Sequence, residues 1–211
     1  IKFTVNSMPL RISMINSVKH DVGLVEYIDI DGNIKKKYFL NNASIGITAK
    51  ANYLFNNGDW IINYFKNKCI TFTISYTSLK TLFVFTPIEV ILNYNGQKKS
   101  LKINNLNIIK NTFVSGGFRY DQDIRCDDQR LGVNYIYNAN IFELLKGLFD
   151  LCHEKFISTN SKKRISTYAD TIKITSENYI HLETDGEVTL AKDILFTLYT
   201  QKINICGHGW D

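Results

Sequence analysis

The sequence predicts a mainly β (α+β) fold, an antiparallel β-sandwich with a few peripheral helices. Short runs of alternating or β-branched apolar residues recur along most of the 211-residue chain, and turn-forming residues separate them. Apolar residues make up 45% and charged residues 21% of the composition, which excludes a disordered chain. We therefore expect a single β-rich domain over residues 1–211.

Two hairpin signals support this fold class. Asp31-Gly32-Asn33 separates residues 22–30 from residues 34–40, and Asn95-Gly96 stands between two later β-prone runs, 88–94 and 99–109. Turn residues of these types between apolar runs are typical of hairpins. Apolar and polar residues also alternate in further segments, which predicts strands at 69–76, 131–137, 164–169, 171–175, 179–183, 194–200 and 202–206.

Helical periodicity is restricted to a few segments. Residues 49–55 and 59–66 suit a broken helical pair, with Asp59 as an N-cap. In residues 141–156, leucines and isoleucine recur at helical spacing, and Asn140 can cap the start. This apolar stripe predicts a packing face rather than a binding groove.

Composition also bears on compartment and partners. The four cysteines make no CxxC pair, so neither a disulfide framework nor a zinc ribbon is predicted. No run approaches the roughly 20 apolar residues needed to cross a bilayer, and the N-terminus lacks a signal-peptide pattern, so we expect a cytoplasmic protein. The net charge of +5 permits contact with phosphates or with an anionic membrane surface. The basic residues form no stripe, so no nucleic-acid partner is expected.

Two acidic segments are candidate functional sites. Four aspartates crowd residues 121–128, where either a divalent cation or the neighbouring arginines could balance their charge. At residues 183–187, Asp185-Gly186 is a hairpin-turn signal, while Asp185 and Glu187 could act as acid, base or metal-contacting groups. The residues alone leave both alternatives open at each segment.

Several motifs, taken in order, resemble the catalytic family of diacylglycerol kinases, which includes bacterial lipid kinases and the sphingosine and ceramide kinases. These motifs are YFLNNASIG at residues 38–46, Asn111 with Gly116-Gly117, DDQRL at residues 127–131 and DGE at residues 185–187. The resemblance spans residues 21–206. It implies the C-terminal β domain of an ATP- and Mg²⁺-dependent lipid kinase, which phosphorylates a lipid hydroxyl.

The family carries a Gly-Gly-Asp-Gly-Thr nucleotide loop in an N-terminal kinase domain, and this sequence contains no such motif. The resemblance therefore implies that the N-terminal domain is a missing partner and that the 211 residues are inactive alone. It places a lipid substrate against apolar surface between the two domains. The basic clusters add an expectation of peripheral contact with anionic membrane.

The resemblance also implies roles for individual residues. Asp185 and Glu187 would be catalytic, close to the ATP phosphates and their Mg²⁺. The residues implied to contact the cofactor are Asn42, Gly46 and Gly186. The residues implied to hold a structural Mg²⁺ are Asp127, Asp128 and, through its backbone carbonyl, Leu131.

Two other functions remain open at this point. One is a noncatalytic lipid- or protein-binding module on the same fold, which the missing nucleotide loop favours. The other is kinship with NAD kinases, which share the two-domain plan.

Overall fold

The computed structural model describes residues 2–5, 8–11, 17–58, 60–115, 118–159 and 161–206. Within these ranges the chain forms sixteen strands and four α-helices. The strands are β1 Lys2–Val5, β2 Met8–Arg11, β3 Ser17–His20, β4 Gly23–Ile28, β5 Ile34–Phe39, β6 Asn42–Gly46, β7 Ile88–Tyr94, β8 Gln97–Ile109, β9 Phe113–Ser115, β10 Phe118–Arg119, β11 Leu131–Tyr137, β12 Arg164–Ala169, β13 Ile172–Thr175, β14 Ile180–Thr184, β15 Glu187–Leu198 and β16 Ile203–Cys206. The helices are α1 Ile47–Asn56, α2 Trp60–Lys66, α3 Ile70–Val84 and α4 Ile141–Cys152.

Most of these strands belong to one antiparallel sheet that closes on itself. β8, β6, β14, β15, β13 and β7 are hydrogen-bonded in that order, and β7 pairs back onto β8, so they form a six-stranded ring. β11 and β12 extend the sheet from β8, and β4 and β5 extend it from β15. The prediction of a mainly β, antiparallel fold is confirmed. The predicted sandwich is wrong, because the sheet is closed instead of being divided into two layers.

Two long strands allow the ring to close. β8 pairs with β7 through residues 97–103 and with β6 through residues 105–109, while β15 pairs with β14 through residues 187–191 and with β13 through residues 194–196. The β8 register with β11 skips Asn104, and the β15 register with β4 shifts around Asp193, whose φ is 48°. Such bulges bend a strand and increase its twist, so one strand can serve two neighbours in a closed sheet.

The two faces of the sheet contact different cores. The larger hydrophobic cluster contains inward-facing side chains of the ring, including Ile45, Leu106 and Leu182. A second cluster lies beneath the helices, where Leu144 packs with Ile109, and Leu145, Leu148 and Leu151 pack against its edge. The apolar stripe of α4 packs against this cluster, and Leu144, Leu148 and Leu151 also line a cavity described below.

Local turn and cap chemistry agrees with the prediction. Asn95 and Gly96 have φ values of 49° and 72°, as the turn of the β7–β8 hairpin requires. Helix α4 begins with a capping box, in which Asn140 accepts from the Glu143 N–H and Glu143 accepts from the Asn140 N–H. The predicted cap Asp59 and the paired glycines at 116–117 lie outside the described residues.

One element differs in type from the prediction. The alternation in residues 69–76 predicts a strand, and this prediction is wrong because helix α3 covers nearly all of them. Thr73, Thr77 and Thr81 are buried and follow one another every four residues. Each donates its hydroxyl to the carbonyl four residues earlier. This period of four is the helical signal, and it is hidden when only apolar residues are followed.

None of the helices in the described part of the chain has the length and apolar content needed to cross a bilayer.

Candidate functional site

A row of buried polar side chains crosses the face of the sheet that contacts α1. Glu183 of β14 is the cross-strand partner of Ser44 on β6. Ser44 is in turn the partner of Asn107 on β8, and Asn107 is the partner of Asn134 on β11. Direct cross-strand partners face the same side of a sheet. All four residues are at most 1% exposed. Because burying adjacent polar groups is unfavourable unless they find partners, this row is a candidate functional feature.

Glu183 is the acid of this row. Its Oε2 accepts from Ser44 Oγ at 2.6 Å and from Asn42 Nδ2 at 3.0 Å, and its Oε1 accepts from the Gly186 N–H at 2.6 Å. All three donors are electrically neutral. Burial raises the pKa of Glu183 to about 7, an effect that the hydrogen bonds oppose and the nearby Asp185 charge reinforces. The carboxyl group is therefore able to exchange a proton near neutral pH.

Asp185 lies in the turn between β14 and β15. Asp185 and Gly186 have φ values of 45° and 92°, which confirms the predicted hairpin turn. The Asp185 carboxylate accepts the backbone N–H groups of residues 40, 41 and 42 at 2.6, 3.0 and 3.0 Å, and its own N–H donates to the Asn42 carbonyl at 3.0 Å. Asp185 thus joins this turn to the corner between β5 and β6, and its carboxylate has a fixed position.

Glu183 and Asp185 both line a polar cavity of about 330 Å³. The other lining residues are Asn41, Asn42, Asn52, Phe113, Val114 and Gly186. The structure therefore brings together three of the sequence-predicted site residues, Asn42, Asp185 and Gly186. It also adds Glu183, which the sequence analysis did not single out.

Two other predicted site residues lie outside this lining. Gly46 is buried at the far end of β6, where its φ of 90° and its missing side chain allow close approach to the backbone of Asn104. Glu187 begins β15 with its side chain 79% exposed and forms an ion pair with Lys37 at 3.2 Å. Their predicted roles in nucleotide contact and catalysis stay predictions.

An apolar cavity of about 320 Å³ adjoins the polar one, and Asn52 and Val114 line both. Its walls come mainly from α1, α3, α4 and the adjacent strands. Asn107 lies in the lining and donates through Nδ2 to Tyr120 Oη at 2.7 Å. Its Oδ1 is buried and finds no donor among the described residues. An unpaired buried acceptor is unfavourable, so a ligand that carries a donor would be favoured there.

The polar positions that form the row carried a weak signal in the sequence. Asn42 and Ser44 alternate with apolar residues or glycine on β6, and Asn105 and Asn107 alternate with apolar residues in the last part of β8, residues 105–109. Alternation of this kind places polar groups on one face, but only the pairing of the strands shows that this face is covered. Glu183 could not be separated from an exposed strand residue before that pairing was known.

The acidic segment at residues 121–128 lies before β11 and contains several ion pairs. Asp128 accepts from Lys110 Nζ at 2.6 Å and from Arg130 Nε at 3.0 Å, and Asp127 pairs with Arg125 at 3.4 Å. Asp121 instead accepts the backbone N–H groups of residues 157 and 158. In the structure, basic side chains therefore balance the charge of Asp127 and Asp128, which is the second of the two alternatives left open by the sequence.

The side chains of this segment are not arranged as a magnesium site. In the part of the chain that the structure describes, no group of three or more histidine, cysteine, aspartate or glutamate side chains could hold a metal ion. The Asp128 carboxylate, one of the implied ligands, faces the Lys110 ammonium group, as does the backbone carbonyl of Arg130. The present arrangement does not fit a magnesium ion, and the site implied at Asp127, Asp128 and Leu131 stays a prediction.

Comparison with known proteins finds solved structures that share the fold, but no match in sequence. Neither a protein-family model nor a curated protein sequence matches the chain. A structure described as a "putative diacylglycerol kinase" from Bacillus anthracis str. Sterne matches with a TM-score of 0.60 and 20% identity, over 87% of this chain and 55% of that chain. A second diacylglycerol kinase structure from the same organism matches with a TM-score of 0.50 and 15% identity, over 86% and 51%.

Yeast NADH kinase also matches, with a TM-score of 0.51 and 8% identity, over 92% of this chain and 45% of that chain. At these identities the likeness shows the fold alone. The chain has a fold that diacylglycerol kinase and NADH kinase structures contain, and it spans about half the length of those proteins.

Proposed function

We propose that this chain is the C-terminal domain of an ATP- and Mg²⁺-dependent lipid kinase, which phosphorylates a lipid hydroxyl once an N-terminal nucleotide-loop domain completes the site. The observation that carries the proposal is the adjacency of the two cavities, which share Asn52 and Val114. A substrate with an apolar tail and a reactive polar head requires both environments side by side.

The polar cavity contains groups suited to a magnesium nucleotide. In phosphoryl-transfer sites Mg²⁺ is commonly held by one or two carboxylates together with substrate phosphates, so a full protein cage is not needed. Asp185 Oδ2 accepts a single backbone N–H, which leaves a lone pair for a cation. In this proposal Asp185 and Glu187 contact the cation that neutralises the phosphates, and Asn42, Gly46 and Gly186 contact the nucleotide.

Glu183 is the group of this chain that can take up the proton of the substrate. The lipid hydroxyl oxygen bonds to the γ-phosphorus, the bond to the β-phosphate oxygen breaks to release ADP, and the hydroxyl proton passes to the Glu183 carboxylate. A pKa of about 7 suits this role because such a group accepts and releases a proton at neutral pH. The bonds from Ser44 and Asn42 keep the carboxyl group in one orientation.

The experiment that tests this proposal uses the complete gene product that contains this chain. It should transfer phosphate from ATP to diacylglycerol or to a long-chain base. Leu148 lines the apolar cavity, whereas its neighbour Phe149 is 62% exposed on the same helix. We expect Leu148→Trp to lower the rate with long-chain acceptors at least about tenfold, equivalent to ~1.4 kcal/mol, and Phe149→Trp to leave it unchanged. No transfer to either lipid by the complete protein would refute the proposal.

The match to yeast NADH kinase supports NAD phosphorylation as a second candidate. Product analysis separates the two, since the same reaction with NAD as acceptor would yield a phosphorylated dinucleotide and no phospholipid. Lipid phosphate formation, with no phosphate transferred to NAD, excludes this candidate.

The apolar cavity also supports a noncatalytic lipid-binding module. Such a module would transfer no phosphate. Its binding of a fluorescent fatty acid would be unaffected by ATP and would persist in the Asp185→Ala and Glu187→Ala variants. A nucleotide-dependent change in lipid affinity would instead favour the kinase.

Peripheral membrane contact is part of the proposal. What supports it is an exposed aromatic surface on α2 and α3, where Tyr64, Phe65 and Phe72 contact one another in series and Trp60 is 75% exposed. Lys68 lies over the Tyr64 ring at 3.9 Å, and basic residues beside aromatic ones suit an anionic interface. Binding to vesicles that contain phosphatidylserine should fall at high salt and in Trp60→Ser. Binding that neither change affects would contradict this part.

A further inference from the structure

Lys110 is a buried lysine whose ammonium group is surrounded by oxygen atoms. It directly follows β8, and its side chain is 0% exposed. Four oxygens lie within hydrogen-bond distance of Nζ, so at least one of its three N–H groups is shared between two of them. These are Asp21 Oδ2 at 3.1 Å, Asp128 Oδ1 at 2.6 Å, and the backbone carbonyls of Arg125 and Arg130, both at 3.0 Å. A mixture of carboxylates and loop carbonyls is the ligand set that hard metal cations select.

We propose that the ammonium group of Lys110 serves as the cation of the loop formed by residues 121–130. This ammonium group occupies the position that a divalent metal ion would need, and the loop of residues 121–130 therefore keeps its conformation without a bound metal.

The distances favour an ammonium group over a metal. Mg²⁺ requires oxygen ligands at roughly 2.0–2.1 Å and Ca²⁺ at roughly 2.3–2.6 Å. The four oxygens here lie at 2.6–3.1 Å from Nζ, which is the range of N–H···O hydrogen bonds. A metal ion could enter only if the side chain of Lys110 moved out.

The surrounding contacts hold the oxygens toward Lys110. Asp21 also accepts the Gln129 N–H at 2.7 Å and the ammonium group of Lys202 at 2.8 Å. Asp128 also accepts the Arg125 N–H and Arg130 Nε, both at 3.0 Å. Burial by itself would raise the pKa of each aspartate, but these bonds and those from Lys110 hold both pKa values below the usual range. Both carboxylates are thus charged and matched to a cation.

The proposal concerns the loop alone, so it can fail or hold independently of the kinase proposal. In the absence of nucleotide, the full chain should melt at the same temperature, within about 1 °C, in EDTA and in millimolar MgCl₂ or CaCl₂, because the loop holds no metal and the cation of the proposed kinase site is held together with the substrate phosphates. A fall of several degrees in EDTA that added Mg²⁺ or Ca²⁺ reverses would overturn the proposal, and this measurement needs no variant.

Two variants separate the charge of Lys110 from its volume. Lys110→Ala leaves four oxygens around an open space, so Ca²⁺ or Mg²⁺ at about 100 times its Kd should raise the melting temperature of this variant by roughly 5 °C or more. Lys110→Met fills the same space with an apolar chain and should show no response to either ion. Lys102→Ala, at a surface ion pair with Glu89, is the control and should behave as the unmodified chain. An equal response of Lys110→Met and Lys110→Ala to the ions would contradict the proposal.

Discussion

Glu183 and Lys110 are both buried ionisable residues, and they differ in what surrounds them. Lys110 contacts two carboxylates, whereas the three hydrogen-bond partners of Glu183 are neutral. The pKa of Asp128, beside Lys110, is correspondingly lowered, and that of Glu183 is raised to about 7. A buried charge that its neighbours balance is a structural element, while an unbalanced acid at a cavity wall is a candidate for chemistry.

The largest effect on stability is expected from replacing Lys110, whose charge balances those of Asp21 and Asp128. Lys110→Met removes the cation and leaves Asp21 and Asp128 charged and partly buried, so we expect a loss of about 3–5 kcal/mol in the free energy of unfolding. Urea denaturation at pH 7 measures it. Lys102→Met, at an exposed pair, should leave the urea midpoint nearly unchanged. Similar losses for the two variants would show that the Lys110 cluster contributes no more than a surface pair.

The raised pKa of Glu183 should make the stability of the folded chain depend on pH. The pKa of Glu183 is raised from 4.5 to about 7 on folding, so the folded state binds more protons than the unfolded state between these values. The contribution of this group to stability is therefore fully present below pH 4.5 and is lost as the pH rises through about 7. The total change corresponds to about 3 kcal/mol.

Glu183→Gln should remove this pH dependence. An uncharged amide can accept the Gly186 N–H through its oxygen and donate to Ser44 Oγ and to a flipped Asn42 amide, so the site keeps its hydrogen bonds. We expect the variant to be more stable than the unmodified chain at pH 8 and similar to it at pH 4.5, by denaturant titration at each pH. A constant difference across this range would mean that Glu183 does not titrate as the structure indicates.

The two regions also differ in what the sequence could predict about them. Asp185-Gly186 was predicted as a turn because turn chemistry is local, and the same is true of Asn95-Gly96 and of the Asn140 cap of α4. The burial of Glu183 and Lys110 depends on partners far along the chain. Ser44 lies 139 residues from Glu183, and Asp21 lies 89 residues from Lys110. Residue spacing within one segment carries no information about such pairs.

Closure of the sheet was unpredictable for a similar reason. The strands β8 and β15 each serve two neighbours in the ring, and each changes neighbour close to an irregularity, at Asn104 and near Asp193. A bulge shows no period in the sequence, so alternation predicts the strands but not the ring that they form.

An intermediate effect is expected at Asp185, which combines a structural role with the proposed chemical one. Asp185→Ala deprives three backbone N–H groups of their acceptor, and we expect a loss of about 2 kcal/mol in the free energy of unfolding. Asp170→Ala, at an exposed position between β12 and β13, is the control. A loss no greater than that of the control would show that the corner between β5 and β6 does not depend on this carboxylate.

The smallest effect on stability is expected at Glu187, and this makes it the most informative acid for the kinase proposal. Its side chain is 79% exposed and its ion pair with Lys37 is a surface pair, so Glu187→Ala should change the free energy of unfolding by less than about 1 kcal/mol. If Glu187 contacts the magnesium nucleotide, the same variant of the complete protein should nevertheless lose phosphate transfer by about 100-fold or more. Lys37→Ala removes the same ion pair and serves as the matched control. Equal activity of the two variants would show that Glu187 has no role in catalysis beyond its ion pair, because a residue that acts only through the pair cannot affect activity more than Lys37 does.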